Sequence, residues 1–169
     1  MQFAKDSFSI ALRERLAGLN PARVVRVSGA LRPAVVVVEN EMPTAAELLA
    51  ECFYLEWGAL KLGDSDGGVT PMCSIDCSIR YRTRGKVESG VDRGRLLGEL
   101  DRELFSICQP ACTKKVDFSR APNVDLGSGV SWTLPVIEMG NREPGDRDAG
   151  MVEHNARVRV FFFPEVGSL

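Results

Sequence analysis

The sequence predicts an α+β fold: one domain, residues 1–169, in which two main helices pack on one face of a mostly antiparallel sheet. Three features lead to this prediction. Strand-like segments come in groups with helical segments between the groups, one segment alternates strictly between apolar and polar residues, and another carries a strong helical stripe. The chain has 169 residues, of which 44% are hydrophobic and 26% charged, and this composition suits one domain with its own core.

Two segments show helical periodicity. The first, Ser7–Gly18, ends at a glycine that suits a helix C-terminus, and Pro21 prevents continuation. The second begins at Asp92, a residue type that caps helices, and ends before a proline. Its apolar residues share one stripe: Leu96, Leu97, Leu100, Leu104, Ile107 and Cys108. A capping-box pattern at Thr44 predicts the start of a short helix, but whether Thr44–Leu62 is helix or strand stays open.

Valine-rich and alternating segments predict the first strands. Ala22–Val27 and Pro33–Glu39, joined by Ser28–Arg32, are typical of two neighbouring strands in a hairpin. Cys73–Tyr81 alternates at every position, which predicts a strand with one face in the core and the other toward water or a partner.

The C-terminal half predicts further strands and a loop. Lys114–Ser119 and Val130–Ile137 are extended segments, and Ala156–Phe163 closes the domain as a strand. Residues near 63–72 and 140–152 are rich in glycine and charge, which predicts mobile loops.

The charge balance and hydropathy exclude several classes of protein. Lysine and arginine number 21 against 23 acidic residues, a net charge of −2, which argues against a general DNA- or RNA-coating protein. We also expect no sequence-specific nucleic-acid partner. No run approaches the roughly 20 apolar residues that span a bilayer. Met1–Ser7 lacks the basic-then-apolar order of an export signal, so we expect neither membrane insertion nor export.

Five cysteines raise the question of disulfides or metal. Without an export signal they are expected to be reduced, small buried residues. Cys73 and Cys77 share a strand face about 13 Å apart, too far for a bridge. A four-cysteine zinc site with Cys108 and Cys112 would use C-x3-C spacings instead of the usual C-x2-C. We therefore predict no metal site for the set Cys52, Cys73, Cys77, Cys108 and Cys112.

No set of residues suited to catalysis emerges. His154 is the only histidine and is expected to be a polar residue at a strand edge. The pairs Asp64/Asp66 and Asp146/Asp148 lie in glycine-rich segments that suit solvated loops. Phosphate-binding and dinucleotide-binding glycine motifs are missing. The sequence therefore predicts no catalytic residue, no cofactor and no enzymatic activity.

Arginine usage points instead to a protein interface. Sixteen of the 21 basic residues are arginine, a residue enriched at interfaces, although a GC-rich genome would produce the same bias. On the closing strand, one face is apolar and the other carries arginines followed by two phenylalanines, which another element such as Ser7–Gly18 could also cover. The candidate interface residues are Arg80, Arg82, Arg84, Arg157, Arg159, Phe161 and Phe163.

The strand Ser74–Tyr81, the turn at Gly85, the helix over Asp92–Leu104 and the closing strand Ala156–Phe163 resemble the tail terminator proteins of long-tailed phages, also called tail completion or neck proteins. This resemblance implies a virion protein, assembled in the host cytoplasm, that forms a homo-oligomeric ring, usually a hexamer. Such a ring caps the tail tube, contacts neck or head-completion proteins and could let DNA pass through it. The alternatives are a small monomeric adaptor, a ligand-binding α+β domain and, less favoured, an enzyme that does not use histidine.

Overall fold

The computed structural model describes residues 1–42, 48–63, 71–139 and 150–164. Helices α1 (Gln2–Leu19) and α3 (Arg93–Ile107) are long, and α2 (Val38–Glu41) is a single turn. The strands are β1 Val24–Val27, β2 Ala30–Pro33, β3 Val35–Val37, β4 Phe53–Leu62, β5 Cys73–Thr83, β6 Cys112–Asp117, β7 Val124–Trp132, β8 Val136–Met139 and β9 Val152–Phe162. None of the described helices is both long enough and apolar enough to cross a membrane.

Seven strands form one mixed sheet, which curls into a half-barrel. Its order is β3-β4-β5-β9-β7-β6, and β8 pairs with β9 beside β7. Strand β3 runs parallel to β4, and the other paired strands of this sheet are antiparallel. Strands β1 and β2 form a separate antiparallel hairpin. The fold is therefore α+β, as the grouping of helical and strand-like segments predicts.

Strict alternation decides which face of the sheet forms the core. On β5, every second residue from Cys73 to Tyr81 is buried, as predicted, and on β9 the buried residues are those in phase with Val158. The predicted stripe of α3 is buried as well: Leu96, Leu97, Leu100, Leu104 and Ile107, with Cys108 directly after the helix. These residues join a single core cluster, except Leu96.

Helix α1 packs against α3 and against the two edge strands of the sheet, β3 and β6. Phe8 is fully buried and makes edge-to-face contacts with Trp57 and Trp132, at ring-centre distances of 5.8 and 5.2 Å. At β6, the Val116 backbone N–H donates a hydrogen bond to Ser7 Oγ at 3.0 Å. Helix α1 therefore bridges the two edges of the curled sheet, β3 and β6.

The predicted hairpin of Ala22–Val27 with Pro33–Glu39 is wrong in its second strand. Val27 pairs with Ala30 across a two-residue turn, Ser28–Gly29, in which both residues have positive φ (48° and 84°). This geometry matches the right-handed twist of the strands and makes the hairpin tight. The following valines leave the hairpin and form β3, which is buried on both sides as the unbroken apolar run indicates.

Other boundaries also differ from the sequence-based expectation. Phe53–Leu62 is a strand, which settles that part of the ambiguous segment, whereas the predicted helix start at 44–47 lies outside the described residues. Most of the predicted loops near 63–72 and 140–152 also lies outside them. The extended segment Val130–Ile137 divides between β7 and β8. Asp92 precedes α3, but its carboxylate accepts a bond from the Lys86 N–H at 2.8 Å rather than capping the helix.

Candidate interaction surfaces

The outer face of the sheet, opposite the core, carries the predicted arginines of β9. Arg159 Nε donates to Asp76 Oδ1 at 2.8 Å, and Lys61 Nζ donates to Asp76 Oδ2 at 3.2 Å. The hydrogen bond from Arg159, aided by the bond from Lys61, lowers the pKa of the Asp76 carboxyl. Arg157 Nη2 lies 3.3 Å from Oε1 of Glu138 in β8. Both arginines therefore pair with acids on neighbouring strands.

The three arginines of β5 and its exit occupy different environments. Arg80 pairs with Glu56 of β4, and both side chains are about one third exposed. Arg84 is exposed. Arg82 is only 8% exposed, and its Nε donates to the Leu48 carbonyl at 2.8 Å. The Arg82 guanidinium therefore stabilises the protomer from within, and the accessible members of this group are Arg80 and Arg84.

The two phenylalanines differ in exposure. Phe161 lies half-buried on the outer face, and Phe163 is 44% exposed just beyond β9. The Phe163 carbonyl accepts a hydrogen bond from the Nζ of Lys115 at 2.8 Å. Burial lowers the pKa of that ammonium group. Helix α1 is the other element that could cover these two rings. It packs on the core face of the sheet, the face of Phe162, whereas Phe161 lies on the outer face.

An apolar cluster lies at the same end of the sheet. The register aligns Leu62 of β4 with Cys73 of β5 and Phe162 of β9, so Leu60 and Leu62 share the face of those residues, and Met72 and Phe163, one position along, belong to the opposite face. Leu62 is 56% exposed, the largest exposure in the group. We call these residues the sheet-end cluster: Leu60, Leu62, Met72 and Phe163. Each face therefore presents two exposed apolar side chains at this end of the sheet, and these are candidate contacts for a partner.

Strand β4 also leaves part of its edge open. Strand β3 pairs only with Phe53–Leu55, and the next outward amide, Trp57 N–H, is bonded to Glu39 Oε1 at 3.3 Å. Beyond it, in the described ranges, no strand pairs with this side of Gly58–Leu62. An open edge of this kind can accept another strand.

Backbone geometry identifies which residues face the open side. The Phe53 N–H donates to the Ala34 carbonyl, so Phe53 and every second residue after it direct their backbone groups away from β5. A bulge between Trp57 and Leu60 shifts this phase by one residue. Leu60 and Leu62 therefore direct their backbone N–H and C=O groups toward the open side.

The β1–β2 hairpin forms a second exposed apolar surface. Val25 is buried on its inner face, while Val24 and Leu31 lie on the outer face, with Leu31 62% exposed. The base of the hairpin is held by Arg23, whose guanidinium bonds to Glu103 of α3 and to Glu51. The sequence predicts a hairpin here, but its periodicity is too short to show which face stays exposed.

Glu41 anchors the hairpin from the other side. Its carboxylate accepts hydrogen bonds from Arg13 Nη2 (2.8 and 2.7 Å), Arg32 Nη1 (2.7 Å) and the Val37 backbone N–H (2.6 Å). Burial alone would raise the pKa of this carboxyl, but the hydrogen bonds from Arg32 and Val37 and the charge of Arg13 outweigh burial and lower the pKa below 4.5.

A lowered pKa of Glu41 in the folded state predicts a pH dependence. Its contribution to stability is fully present above pH 4.5, the ordinary pKa, and disappears as the pH falls through the lower folded value. Glu41→Gln is expected to cost about 1–2 kcal/mol at pH 7, and this difference from the wild type should shrink below pH 4.5. Thermal unfolding between pH 7 and pH 3 measures it. Glu14→Gln, at an exposed position of α1, is the control and should leave the melting temperature at pH 7 unchanged.

The cysteines lie mostly in the core. Cys52, Cys73, Cys77 and Cys108 are buried and Cys112 is exposed, and none of them is in a disulfide. The expectation that all five are buried is therefore wrong for Cys112, which is the first residue of the edge strand β6. Burial raises the pKa of the Cys52 and Cys108 thiols to about 12. Within the described ranges, no three His, Cys, Asp or Glu side chains group so as to hold a metal ion.

His154 belongs to a polar cluster rather than to a free strand edge. Its Nδ1 lies 2.9 Å from Asp101 Oδ1, and the Tyr81 hydroxyl donates to the same oxygen at 2.7 Å. Burial, with Asp101 beside it, raises the pKa of the Tyr81 hydroxyl. The cluster ties α3 to β5 and β9, and this structural role accounts for all three side chains.

A groove of about 430 Å³ lies between α1 and the β6–β7 strands. Lys114 and Asp125, the charged residues on its strand side, pair with each other at 2.6 Å. This pairing engages both charged groups on the strand side of the groove, and the charged residue on its helix side is Glu14.

A scan against protein-family models and a search of curated proteins each found no match for the chain. The functional conclusion therefore depends on the resemblance described above and on the geometry of the exposed surfaces.

Proposed function

We propose that the chain is a structural, ring-forming component of a phage or phage-like tail. In this proposal it is a virion protein without enzymatic activity or cofactor, which caps the tail tube and joins it to neck or head-completion proteins. Two helices on one face of a mostly antiparallel sheet would match the family that the sequence resembles, and a hexamer is the expected ring.

The observation that best supports self-assembly is the presence of two unlike exposed surfaces on one protomer. The hairpin offers Leu31 and Val24, and Leu60 and Leu62 of the sheet-end cluster lie on the open edge of β4. Two different surfaces that fit each other produce a head-to-tail contact, which generates a ring when the rotation between successive copies closes and a filament when it does not. A monomeric adaptor would need only one such surface.

The predicted arginines and phenylalanines suit the rim and anchor of such a contact. Phe163 belongs to the sheet-end cluster, and Phe161 lies next to Arg159 on the outer face. Interfaces commonly combine a buried aromatic anchor with a polar rim. Arg157 and Arg159 of β9 would form that rim, whereas Arg80 and Arg84 lie toward the Tyr54 end of the sheet, away from Phe163.

Replacing Phe161 and Phe163 together with serine is expected to dissociate the oligomer while leaving the protomer folded. Phe163 is exposed and Phe161 is only half-buried in the protomer, so much of their contribution should come from the contact between copies. Light scattering coupled to gel filtration reports the oligomer, and circular dichroism with thermal melting reports the fold.

Two further variants make the result specific. Phe163→Ser alone changes only the more exposed ring and should weaken the oligomer with an unchanged melting curve. Phe105→Ser, at an exposed position of α3, is the matched control and should keep the oligomer. A wild-type protein that stays monomeric at high concentration would contradict the proposed function, and an unfolded double variant beside an intact oligomer of Phe163→Ser would assign these rings to the core.

A further inference from the structure

We infer that strand β1 of one copy adds to the open edge of β4 in the next copy, so that the hairpin is the connecting arm of the ring. This inference rests on the proposed function, because it names the contact through which the copies would assemble. It is carried by the position of the two surfaces, their backbone groups and their charges.

The two surfaces lie at opposite ends of the protomer. The hairpin immediately precedes β3, and β3 begins opposite Phe53 and runs parallel to β4. The hairpin therefore extends beyond the Phe53 end of β4, while Leu60 and Leu62 lie at its other end. Surfaces placed in this way cannot meet within one copy, but they meet readily between successive copies.

The backbone groups of the two edges match. The Ala34 N–H donates a hydrogen bond to the Arg23 carbonyl, so Arg23 directs its backbone groups toward β2. In an antiparallel pair, successive residues direct these groups alternately toward and away from the partner strand. Val24 and Arg26 therefore direct their N–H and C=O groups away from β2, toward the outside. Strand β2 packs against α1, and Pro33 at its end has no N–H. Strand β1 is therefore the edge that can pair, with two outward residues to meet Leu60 and Leu62.

The charges beside the two edges are opposite. The hairpin segment 21–34 contains three arginines and no acidic residue, and Arg26 is its exposed arginine. Helix α2, beside the open edge, carries Glu39, which is exposed, whereas Glu41 already pairs with Arg13 and Arg32 of its own copy. Complementary charges at the rim favour a second copy of this chain as the occupant of the edge, since both halves are present on the same protomer.

Cross-linking between two cysteine variants tests the contact. In a Cys112→Ser background of the full chain, V24C and L60C proteins are mixed and treated with a short bismaleimide. The mixture should give a cross-linked dimer, whereas V24C alone and L60C alone should not, because a head-to-tail contact brings unlike residues together. The V24C/L60C double variant should give a ladder that ends at the ring size. A mixture of L60C with V91C, at a highly exposed valine far along the chain, should give no dimer.

The outcomes separate this inference from the proposed function. An oligomeric wild type without the mixed cross-link would overturn the β1–β4 contact and leave the ring proposal standing. A cross-linked dimer of V24C alone would indicate a two-fold contact and would also overturn it. A wild type that is monomeric throughout would contradict both.

A charge exchange gives an independent readout. Arg26→Glu should raise the dissociation constant of assembly about tenfold, because it places like charges next to Glu39 of the neighbouring copy. Adding Glu39→Arg in the same chain should restore assembly. Equal assembly of the wild type and Arg26→Glu would argue against this placement of the hairpin.

Discussion

Replacing Phe8 with alanine is expected to lower the free energy of unfolding by about 3–5 kcal/mol. The ring is fully buried and lies between the indoles of Trp57 and Trp132, which belong to opposite sides of the curled sheet. Removal of the ring leaves a cavity. The two indoles cannot move in to fill it, because the backbones of Trp57 and Trp132 are held in strands β4 and β7. Chemical denaturation with a constant m-value measures the loss.

Phe105→Ala is the matched control for this prediction. Phe105 also lies on a long helix but is partly exposed, so the same truncation should change the free energy of unfolding by less than about 1 kcal/mol. Similar losses for both variants would show that Phe8 does not join the two sides of the sheet.

Glu103→Ala is expected to cost about 3 kcal/mol, because it leaves a largely buried arginine without its main partner. Glu103 Oε1 accepts hydrogen bonds from Asn20 Nδ2 at 2.7 Å and from Arg23 Nη2 at 3.1 Å, and its second oxygen accepts from Arg23 Nε. Both charged side chains are nearly nine-tenths buried. After the substitution, the acidic residue that still pairs with Arg23 within the described part of the chain is Glu51.

A double-mutant cycle isolates this interaction. If the pair itself is responsible, Arg23→Ala together with Glu103→Ala should cost less than the sum of the single changes, since removal of both charges leaves no buried charge unpaired. Glu14→Ala, at an exposed position of α1, should have almost no effect. Additive single effects would contradict a direct coupling between helix α3 and the base of the hairpin.

The Glu103 substitution also bears on assembly. Arg23 is the residue before the hairpin, so loss of its anchor should leave the hairpin less fixed in orientation. A contact built on a poorly oriented arm forms at a higher entropic cost. In the ring proposal, Glu103→Ala should therefore weaken the oligomer even where the protomer is still folded, which light scattering at low temperature can measure.

Part of the candidate site follows from periodicity in the sequence. The two-residue alternation in Ala156–Phe163 correctly separates the buried positions from Arg157, Arg159 and Phe161 on the other face. The same reasoning does not hold for Arg82, whose place in the alternation is outward but whose side chain is buried beneath the Leu48 carbonyl. Alternation in the sequence predicts which face of the sheet a residue belongs to. Whether that residue is exposed depends on a distant segment that covers the face, here the one containing Leu48.

The sequence by itself determines the elements whose pattern is internal to one segment: the strand over Cys73–Tyr81 and the amphipathic helix after Asp92. These elements depend on residue spacing and local backbone preference, which do not change with the position of the segment in the fold. The tertiary structure alone decides that Val35–Val37 leaves the hairpin to pair with β4, and that this pairing stops after Leu55. Which strands become neighbours depends on contacts between distant segments. The open edge at Leu60 and Leu62 therefore exists only once the whole sheet has formed.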